Sequence, residues 1–135
     1  MKQSQAIKEV CKPLFGQTPY TYDLFTLGFQ LAVAANNRDN NEVKRLLIQI
    51  GREAHTIHAW RDFDDVSKLI QTERKRQDKL HGIQDNDIWK EVCILLEEVY
   101  ELTVELVENN RENAYTEAVQ VMAVCVRILE DDLFA

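Results

Sequence analysis

The fold of this protein is decided by residues 91–120, EVCILLEEVYELTVELVENNRENAYTEAVQ, where a regular apolar pattern runs beside a series of carboxylates. The apolar residues recur at steps of three and four along the chain: Val92, Leu95, Val99, Leu102 and Leu106. This spacing predicts one face of an amphipathic helix, because a strand would alternate at every second residue. Asn109 and Asn110 end the pattern, and a short link at residues 111–113 leads into a second helix. The stretch therefore predicts two antiparallel helices joined by a short connection.

The rest of the chain also favours helices. Of its 135 residues, 45% are hydrophobic, and only two are proline and four are glycine. So few turn-forming residues argue against the many turns of a β-rich fold. A chain of this length buries about two thirds of the surface that its unfolded form exposes, so a single core is sufficient. We expect an all-α fold, a helical bundle of about five to six helices that forms a single domain over residues 1–135.

Capping residues indicate where these helices begin. Thr18 and Pro19 open the second helix, and Asp39 caps the third. Either Asp85 or Asp87 caps the helix of the opening stretch. The predicted helices cover approximately residues 3–12, 19–36, 40–60, 63–81, 88–109 and 114–130.

The side-chain pattern also predicts several environments. Apolar residues in the second helix are spread widely enough over residues 24–33 to predict burial on more than one side, and Gly28 marks a close contact between helices. The three cysteines are odd in number and lack a CxxC spacing, so neither a disulfide framework nor a zinc ribbon is indicated. Cys93 and Cys125 lie within apolar helix patterns, which predicts that both are small core residues.

Carboxylates are crowded on the helix of residues 91–108. Glu98 and Glu101 are one turn apart, and Glu97 and Glu105 flank them. Each close pair of like charges costs about 0.3 kcal/mol on an isolated helix. A bound cation would remove that cost. An acidic stripe is also the usual character of a solvated helix face, so this spacing alone leaves both interpretations open.

The following helix carries the complementary residues. Glu117 and Gln120 lie one turn apart within EAVQVMAVCV, which is otherwise apolar on all sides and is therefore predicted to be buried. A buried amide needs hydrogen-bond partners. Antiparallel packing would place Glu117 and Gln120 opposite Glu98 and Glu101, which predicts an oxygen-lined site for a hard ion such as Mg²⁺.

These residues carry a family resemblance. EEVYEL at residues 97–102, followed by EAVQVMAV at residues 117–124, resembles the MazG-like, all-α nucleoside triphosphate pyrophosphohydrolases. That family has Glu-x-x-Glu on one helix and Glu-x-x-Asp on the next, so Gln120 departs from the family's aspartate. ERKRQDKLHGIQ at residues 73–84 is similar to the helix that precedes this pair. The resemblance covers residues 63–132.

The resemblance implies a fold, a reaction and a set of site residues. Residues 61–135 would form a MazG-like core, with residues 1–60 as an extra N-terminal helical layer. The implied activity is Mg²⁺-dependent hydrolysis of a nucleoside triphosphate to its monophosphate and pyrophosphate, with Mn²⁺ as a possible substitute. The implied metal ligands are Glu98, Glu101, Glu117 and the amide oxygen of Gln120. The implied catalytic residues are Glu97, Glu98 and Glu101, and either Glu97 or a metal ligand would take the proton of the attacking water.

Donors for a substrate precede this helical pair. The segment from residue 73 to residue 82 is almost wholly polar, which is typical of either a solvated helix end or a phosphate-binding surface. In the second interpretation, Gln77 binds a base or sugar edge, and four residues donate to phosphate oxygens: Arg74, Arg76, Lys79 and His81. Trp89 is either a core residue or a platform for a base.

Charge and hydropathy limit the partners. The net charge of −7 argues against general nucleic-acid binding, which depends on many cations. No run approaches the ~20 apolar residues that span a bilayer, so we expect a cytoplasmic protein with no membrane association. Ile94, Val104 and Val107 lie away from the main apolar seam, which predicts a homo-oligomer, a dimer or tetramer.

Two other classes of function compete with the enzyme. A non-catalytic helical module would keep the bundle for oligomerisation or for binding a nucleotide or protein, and Gln120 is the residue that favours this alternative. A di-metal carboxylate oxidoreductase would need Glu-x-x-His motifs, which the chain lacks.

Overall fold

The computed structural model of the protein describes residues 1–11, 21–57, 63–81, 87–131 and 134, without the side chains of residues 21–23, 63, 64 and 81. These residues contain six helices and no strand, which confirms the predicted all-α bundle. The helices are α1 (Gln3–Val10), α2 (Thr21–Asn36), α3 (Asn40–Thr56), α4 (Phe63–His81), α5 (Ile88–Val107) and α6 (Arg111–Leu129). The predicted opening of the second helix at residues 18 and 19 lies outside the described residues.

Capping hydrogen bonds fix three of the helix starts. The Asp39 carboxylate accepts from the Glu42 backbone N–H at 3.2 Å, and the Asp87 carboxylate accepts from that of Lys90 at 2.8 Å. The Asn110 side chain caps α6 by accepting from the Asn113 backbone N–H at 3.3 Å. Helix α6 thus begins at residue 111, where we had predicted a link, because the asparagine before it satisfies the first turn.

Helix α6 is the centre of the bundle. It packs against α1, α3, α4 and α5, whereas α2 packs against α3 and α5. Residues 121–126 are all buried, which is possible only where neighbours cover every side of a helix. The prediction from the uniformly apolar sequence of this segment is confirmed.

Helix α5 has a narrower core face. Val92, Leu95 and Leu102 are fully buried, as the seam of three- and four-residue steps predicted. The prediction for one cysteine was wrong: Cys125 is buried in α6, but Cys93 is exposed. Cys93 is two residues from Leu95 and therefore points about 200° away from it around the helix.

Close contacts join the N-terminal helices to the bundle. A Cβ atom on Gly28 of α2 would lie 2.9 Å from Leu96 of α5, so Gly28 does mark a close helix contact. Gly51 of α3 approaches α1 more closely still, since a Cβ there would lie 2.5 Å from Val10. None of the helices, within the ranges given above, is long and apolar enough to cross a membrane.

The predicted burial of α2 on more than one side was wrong. Leu24 and Leu31 are buried, but Phe25 is 51%, Phe29 71% and Val33 44% exposed. The three exposed residues are spaced by four, so they form a stripe on the side of α2 that faces away from the core.

Candidate metal centre

The α5–α6 hairpin sets the register of the predicted site. Its connection, residues 108–110, is short, and Asn109 takes a left-handed backbone conformation with a φ of 58°. Helix positions equidistant from residue 109 therefore face each other. Glu91 and Arg127 form an ion pair at one such level, and Glu98 and Gln120 meet at another. The sequence prediction that Glu117 and Gln120 lie opposite Glu101 and Glu98 is thus confirmed as geometry.

Three carboxylates converge between these helices. Glu98, Glu101 and Glu117 each offer one oxygen, and these oxygens all lie within 4.8 Å of one another. Glu98 and Glu117 are half-buried, whereas Glu101 is exposed. We call these three residues and Gln120 the acidic cluster. The exposed carboxylate of Glu101 gives the cluster access to solvent.

The Gln120 amide joins two of the carboxylates. In the orientation that satisfies its hydrogen bonds, Nε2 donates to Glu117 Oε2 at 2.8 Å and to Glu98 Oε2 at 2.9 Å. The amide therefore compensates part of the negative charge of the cluster. An aspartate at this position could not donate these bonds.

The remaining charge of the cluster is poorly compensated. The pKa of Glu98 is raised from 4.5 to about 7, first by burial and then by the charges of Glu101, Glu117 and Glu73. The pKa of Glu117 is also raised to about 7, first by burial and then by the charge of Glu101 and a hydrogen bond with it. Burial and the neighbouring carboxylates therefore favour the protonated form of both groups close to neutral pH.

Helix α4 contributes two further groups. Glu73 acts on the pKa of both Glu98 and Glu117, and Arg76 opposes the shift at Glu98. The Arg76 guanidinium donates to the Glu73 carboxylate through Nε at 2.9 Å and through Nη2 at 2.6 Å. We assigned no role to Glu73 from the sequence. Its position in the sequence could have indicated a role, because Glu73 stands one turn before Gln77 and both residues therefore lie on one face of α4.

The donor set fits the chemistry of Mg²⁺. Carboxylate and amide oxygens are hard ligands, and neighbouring oxygens in an octahedron around Mg²⁺ lie about 2.9 Å apart. The terminal amide atom of Gln120 that faces the carboxylates lies 2.8 and 2.9 Å from their oxygens. Turning the amide over would put Oε1 in that position at a ligand-like spacing.

A groove of about 620 Å³ runs between α4 and α6 beside the acidic cluster. Glu73 lines the groove and also acts electrostatically on Glu98, so the groove and the acidic cluster have this residue in common. Leu69, Tyr115 and Val119 provide apolar surface, and Thr72 and Thr116 provide hydroxyl groups. The volume and this mixed lining are typical of a site for a small organic molecule.

The predicted substrate donors on α4 do not share one environment. Arg74 is buried and forms ion pairs with Asp78 at 3.0 Å and with Glu130 at 3.5 Å. Gln77 is buried beside it, accepting from Arg74 Nη1 and donating to Glu73, both at 3.4 Å. Arg76 and Lys79 are exposed, and the side chain of His81 lies outside the described residues.

Two predicted residues on α5 lie apart from the convergence. Glu97 is exposed and lies one turn before Glu101, so it is on the same solvent-facing side of α5 as Glu101. Trp89 is 49% exposed and precedes Glu98 by nine residues, which places the two on opposite sides of α5. Trp89 therefore does not reach the acidic cluster of its own chain.

Comparisons of the chain with protein-family models, with curated proteins and with solved structures find no match. The resemblance to the MazG-like family stays a prediction that depends on the order and spacing of the acidic residues.

Proposed function

We propose that this protein is a Mg²⁺-dependent nucleoside triphosphate pyrophosphohydrolase that releases a nucleoside monophosphate and pyrophosphate. The observation that carries the proposal is the convergence of Glu98, Glu101 and Glu117 within 4.8 Å, with Gln120 bonded to two of them. Glu98, Glu101 and Glu117 match three positions of the metal-binding motif of the MazG-like family, and Gln120 stands at the fourth, where that family has aspartate. Mn²⁺ is the expected substitute, because it accepts the same oxygen ligands.

The residues of the chain have distinct roles in this proposal. Glu98, Glu101 and Glu117 would hold the ion, and Gln120 would add its amide oxygen after its amide group turns over. Mg²⁺, when bound, neutralises triphosphate charge and lowers the pKa of a water for attack at the α-phosphorus. Either Glu97 or a carboxylate of the acidic cluster accepts the proton of that water. Arg76 is exposed on α4 and interacts electrostatically with Glu98, so it would donate to a phosphate oxygen through the Nη1 group that Glu73 leaves available.

The groove between α4 and α6 is the proposed site of the nucleoside. Its lining carries three carboxylates, Asp65, Glu73 and Glu112, and one cation, Lys68, so its net negative charge would repel a triphosphate. Tyr115 and Leu69 offer surface to a base. The nucleotide would therefore lie with its base in the groove and its phosphates over the acidic cluster, where the ion balances their charge. The amino groups of a base are suitable donors to the groove carboxylates.

One observation favours a second candidate, a non-catalytic helical module. The Gln120 amide donates to both Glu98 and Glu117, so it takes over part of the role of a cation. A protein that no longer used the metal would gain from such an internal donor, since it reduces repulsion between the carboxylates. In this alternative the groove binds a nucleotide or another small ligand without hydrolysing it.

The test is pyrophosphate release from each of the eight common ribo- and deoxyribonucleoside triphosphates, with Mg²⁺ and with Mn²⁺. We expect at least one substrate to give equal amounts of monophosphate and pyrophosphate, which separates this reaction from stepwise release of phosphate. Glu101→Gln and Glu117→Gln should each reduce kcat/KM by about 100-fold or more, because each removes a charged ligand.

The matched control is Glu108→Gln, which removes one carboxylate from the exposed C-terminal cap of the same helix. It should leave the rate within about twofold of the unchanged protein, since an exposed charge outside the site contributes little. Absence of pyrophosphate with every substrate and both ions would reject the enzyme and leave the helical module.

A further inference from the structure

We propose that a cavity at the turn between α5 and α6 binds a small zwitterion, an α-amino acid with an apolar side chain. The cavity, called the turn cavity here, has a volume of about 230 Å³. Its lining includes Glu105 and Leu106 of α5, Arg111 and Ala114 of α6, and Ile57. The inference depends on these side chains and not on hydrolysis, so it holds or fails independently of the proposed reaction.

The turn cavity is a separate site from the groove between α4 and α6. Of the described residues that line the two sites, only Tyr115 is common to both. The turn cavity is also the smaller, 230 Å³ against 620 Å³, and falls below the usual range for a drug-sized ligand. Among its described lining residues one is acidic and one is basic, Glu105 and Arg111. A small molecule with charged and apolar parts would therefore match its lining.

The Glu105 carboxylate lacks a partner. Its Oε2 atom is buried and accepts no hydrogen bond, and Glu105 forms no ion pair within the part of the chain that the structure describes. A buried acceptor without a donor lowers stability, because it has lost the hydrogen bonds that water would supply. Glu105 lines the turn cavity, and the terminal torsion of a glutamate rotates easily, so a donor bound in the cavity can reach this carboxylate.

The Arg111 guanidinium is also unpaired. Arg111 is exposed, and no carboxylate among the described residues forms an ion pair with it. Although Glu105 and Arg111 line the same cavity, none of the ion pairs in the described ranges joins them. A molecule that satisfies both side chains must therefore carry a cation for Glu105 and an anion for Arg111.

Each of these two charges lies at the helix end of its own sign. The C-terminal end of a helix is partially negative, and the last turn of α5 contains Glu105 and no basic residue. The N-terminal end of a helix is partially positive, and Arg111 is the first residue of α6. Glu112, the acidic residue of that first turn, lines the groove instead. An ammonium group beside Glu105 and a carboxylate beside Arg111 would compensate both helix ends.

These charges favour an α-amino acid over a ligand with one charge. An amine would leave Arg111 uncompensated, and a simple carboxylate would be repelled by Glu105. An α-amino acid carries both charged groups on one carbon atom, and an apolar side chain such as that of leucine matches the surface that Ile57, Leu106 and Ala114 supply. We expect a dissociation constant of about 0.1–1 mM, because a ligand of so few atoms makes few contacts.

The experiment is a titration of the isotope-labelled full chain with L-leucine, followed through the NMR amide signals of Leu106 and Ala114. Isoamylamine and isocaproate, which are leucine without its carboxylate and without its amino group, should each bind at least about 10-fold more weakly.

Matched substitutions test the two charged side chains. Glu105→Gln and Arg111→Gln should each weaken leucine binding by about 10-fold or more, because each removes one charge that faces the ligand. The controls Glu108→Gln and Lys75→Gln remove an exposed carboxylate and an exposed cation outside the turn cavity, and they should bind leucine as the unchanged protein does.

Three results would overturn the proposal. The first is an unchanged pair of signals at up to about 10 mM leucine, a concentration well above the expected dissociation constant. The second is binding that is equally tight in Glu105→Gln and Arg111→Gln, since it would not depend on the two charges. The third is binding of isoamylamine or isocaproate to the unchanged protein as tightly as leucine, which would identify a site for a single charge. This last comparison needs no variant, so it decides the question even if a substitution disturbs folding.

Discussion

Replacing Glu98 with glutamine should stabilise the metal-free protein at alkaline pH, although it removes a proposed ligand. The Glu98 carboxyl is half-buried beside the carboxylates of Glu101 and Glu117, and its pKa is raised to about 7 by burial and by these charges. Above that pH the folded protein must hold an unfavourable negative charge. The amide of Glu98→Gln is neutral, and its carbonyl can still accept the hydrogen bond that Gln120 donates at 2.9 Å.

The expected gain follows from this pKa. A rise from 4.5 to about 7 corresponds to at most about 3 kcal/mol between the charged and neutral forms. Because Glu98 is partly exposed, screening by solvent reduces this to about 1–2 kcal/mol. In a chain of this length, that free energy raises Tm by roughly 3–8 °C.

The raised pKa of Glu98 determines how the stability of the protein changes with pH. The pKa of Glu98 is higher in the folded state than the 4.5 expected of the unfolded chain, so the folded state binds more protons between these values. The unchanged protein therefore loses stability through both Glu98 and Glu117 as pH rises from about 4.5 through 7, whereas Glu98→Gln keeps only the loss that Glu117 contributes. The advantage of the variant should be complete at about pH 8 and less than half as large at about pH 5.5.

Thermal melts of Glu98→Gln, the unchanged protein and the control Glu108→Gln test this, each in chelator and in excess Mg²⁺. Mg²⁺ should raise Tm of the unchanged protein and of the control, because it binds the folded state, and should have little effect on Glu98→Gln. A variant that is less stable than the unchanged protein in chelator at alkaline pH would refute the crowding argument. Equal gains at both pH values would also refute it, since they could not arise from the ionisation of Glu98.

Three other substitutions test separate features. Gln120→Asp should lower stability in chelator by about 1–3 kcal/mol, because an acceptor replaces the donor between two carboxylates. Mg²⁺ should restore this stability, and the variant should retain or increase hydrolysis; a loss of stability that Mg²⁺ does not restore would favour the non-catalytic module. Gly51→Ala should cost about 1–3 kcal/mol by chemical denaturation, since its Cβ would lie 2.5 Å from Val10, and an unchanged midpoint would show that α1 moves away freely. Arg127→Leu should cost about 3 kcal/mol, measured in the same way, because it removes the guanidinium that pairs with the buried Glu91 carboxylate; a neutral effect would show that this pair adds nothing to stability.

Much of the site could be predicted because it lies on one hairpin. Helical periodicity gave the core face of α5, and a short connection limits two helices to antiparallel packing. Once these were fixed, the distance along the chain from the connection determined which residues face each other. The opposition of Glu98 to Gln120 and of Glu101 to Glu117 follows from those local rules.

Features that depend on distant parts of the chain could not be predicted in this way. Glu73 reaches the acidic cluster only because α4 packs against α6, and no local pattern specifies that contact. Arg74 looked like a phosphate donor within a polar segment. Its ion pair with Glu130, 56 residues away, depends on the same packing.

The sequence by itself determined the helices, the capping residue Asp39 and the hairpin register, since each depends on interactions within a few residues or across one short connection. Only the tertiary structure decided which apolar residues are covered. Phe29 and Leu31 are both apolar residues of α2, yet Phe29 is 71% exposed and Leu31 is fully buried. Hydrophobicity favours burial of both, but α3 and α5 cover only one side of α2, and the geometry of the bundle leaves the other side open.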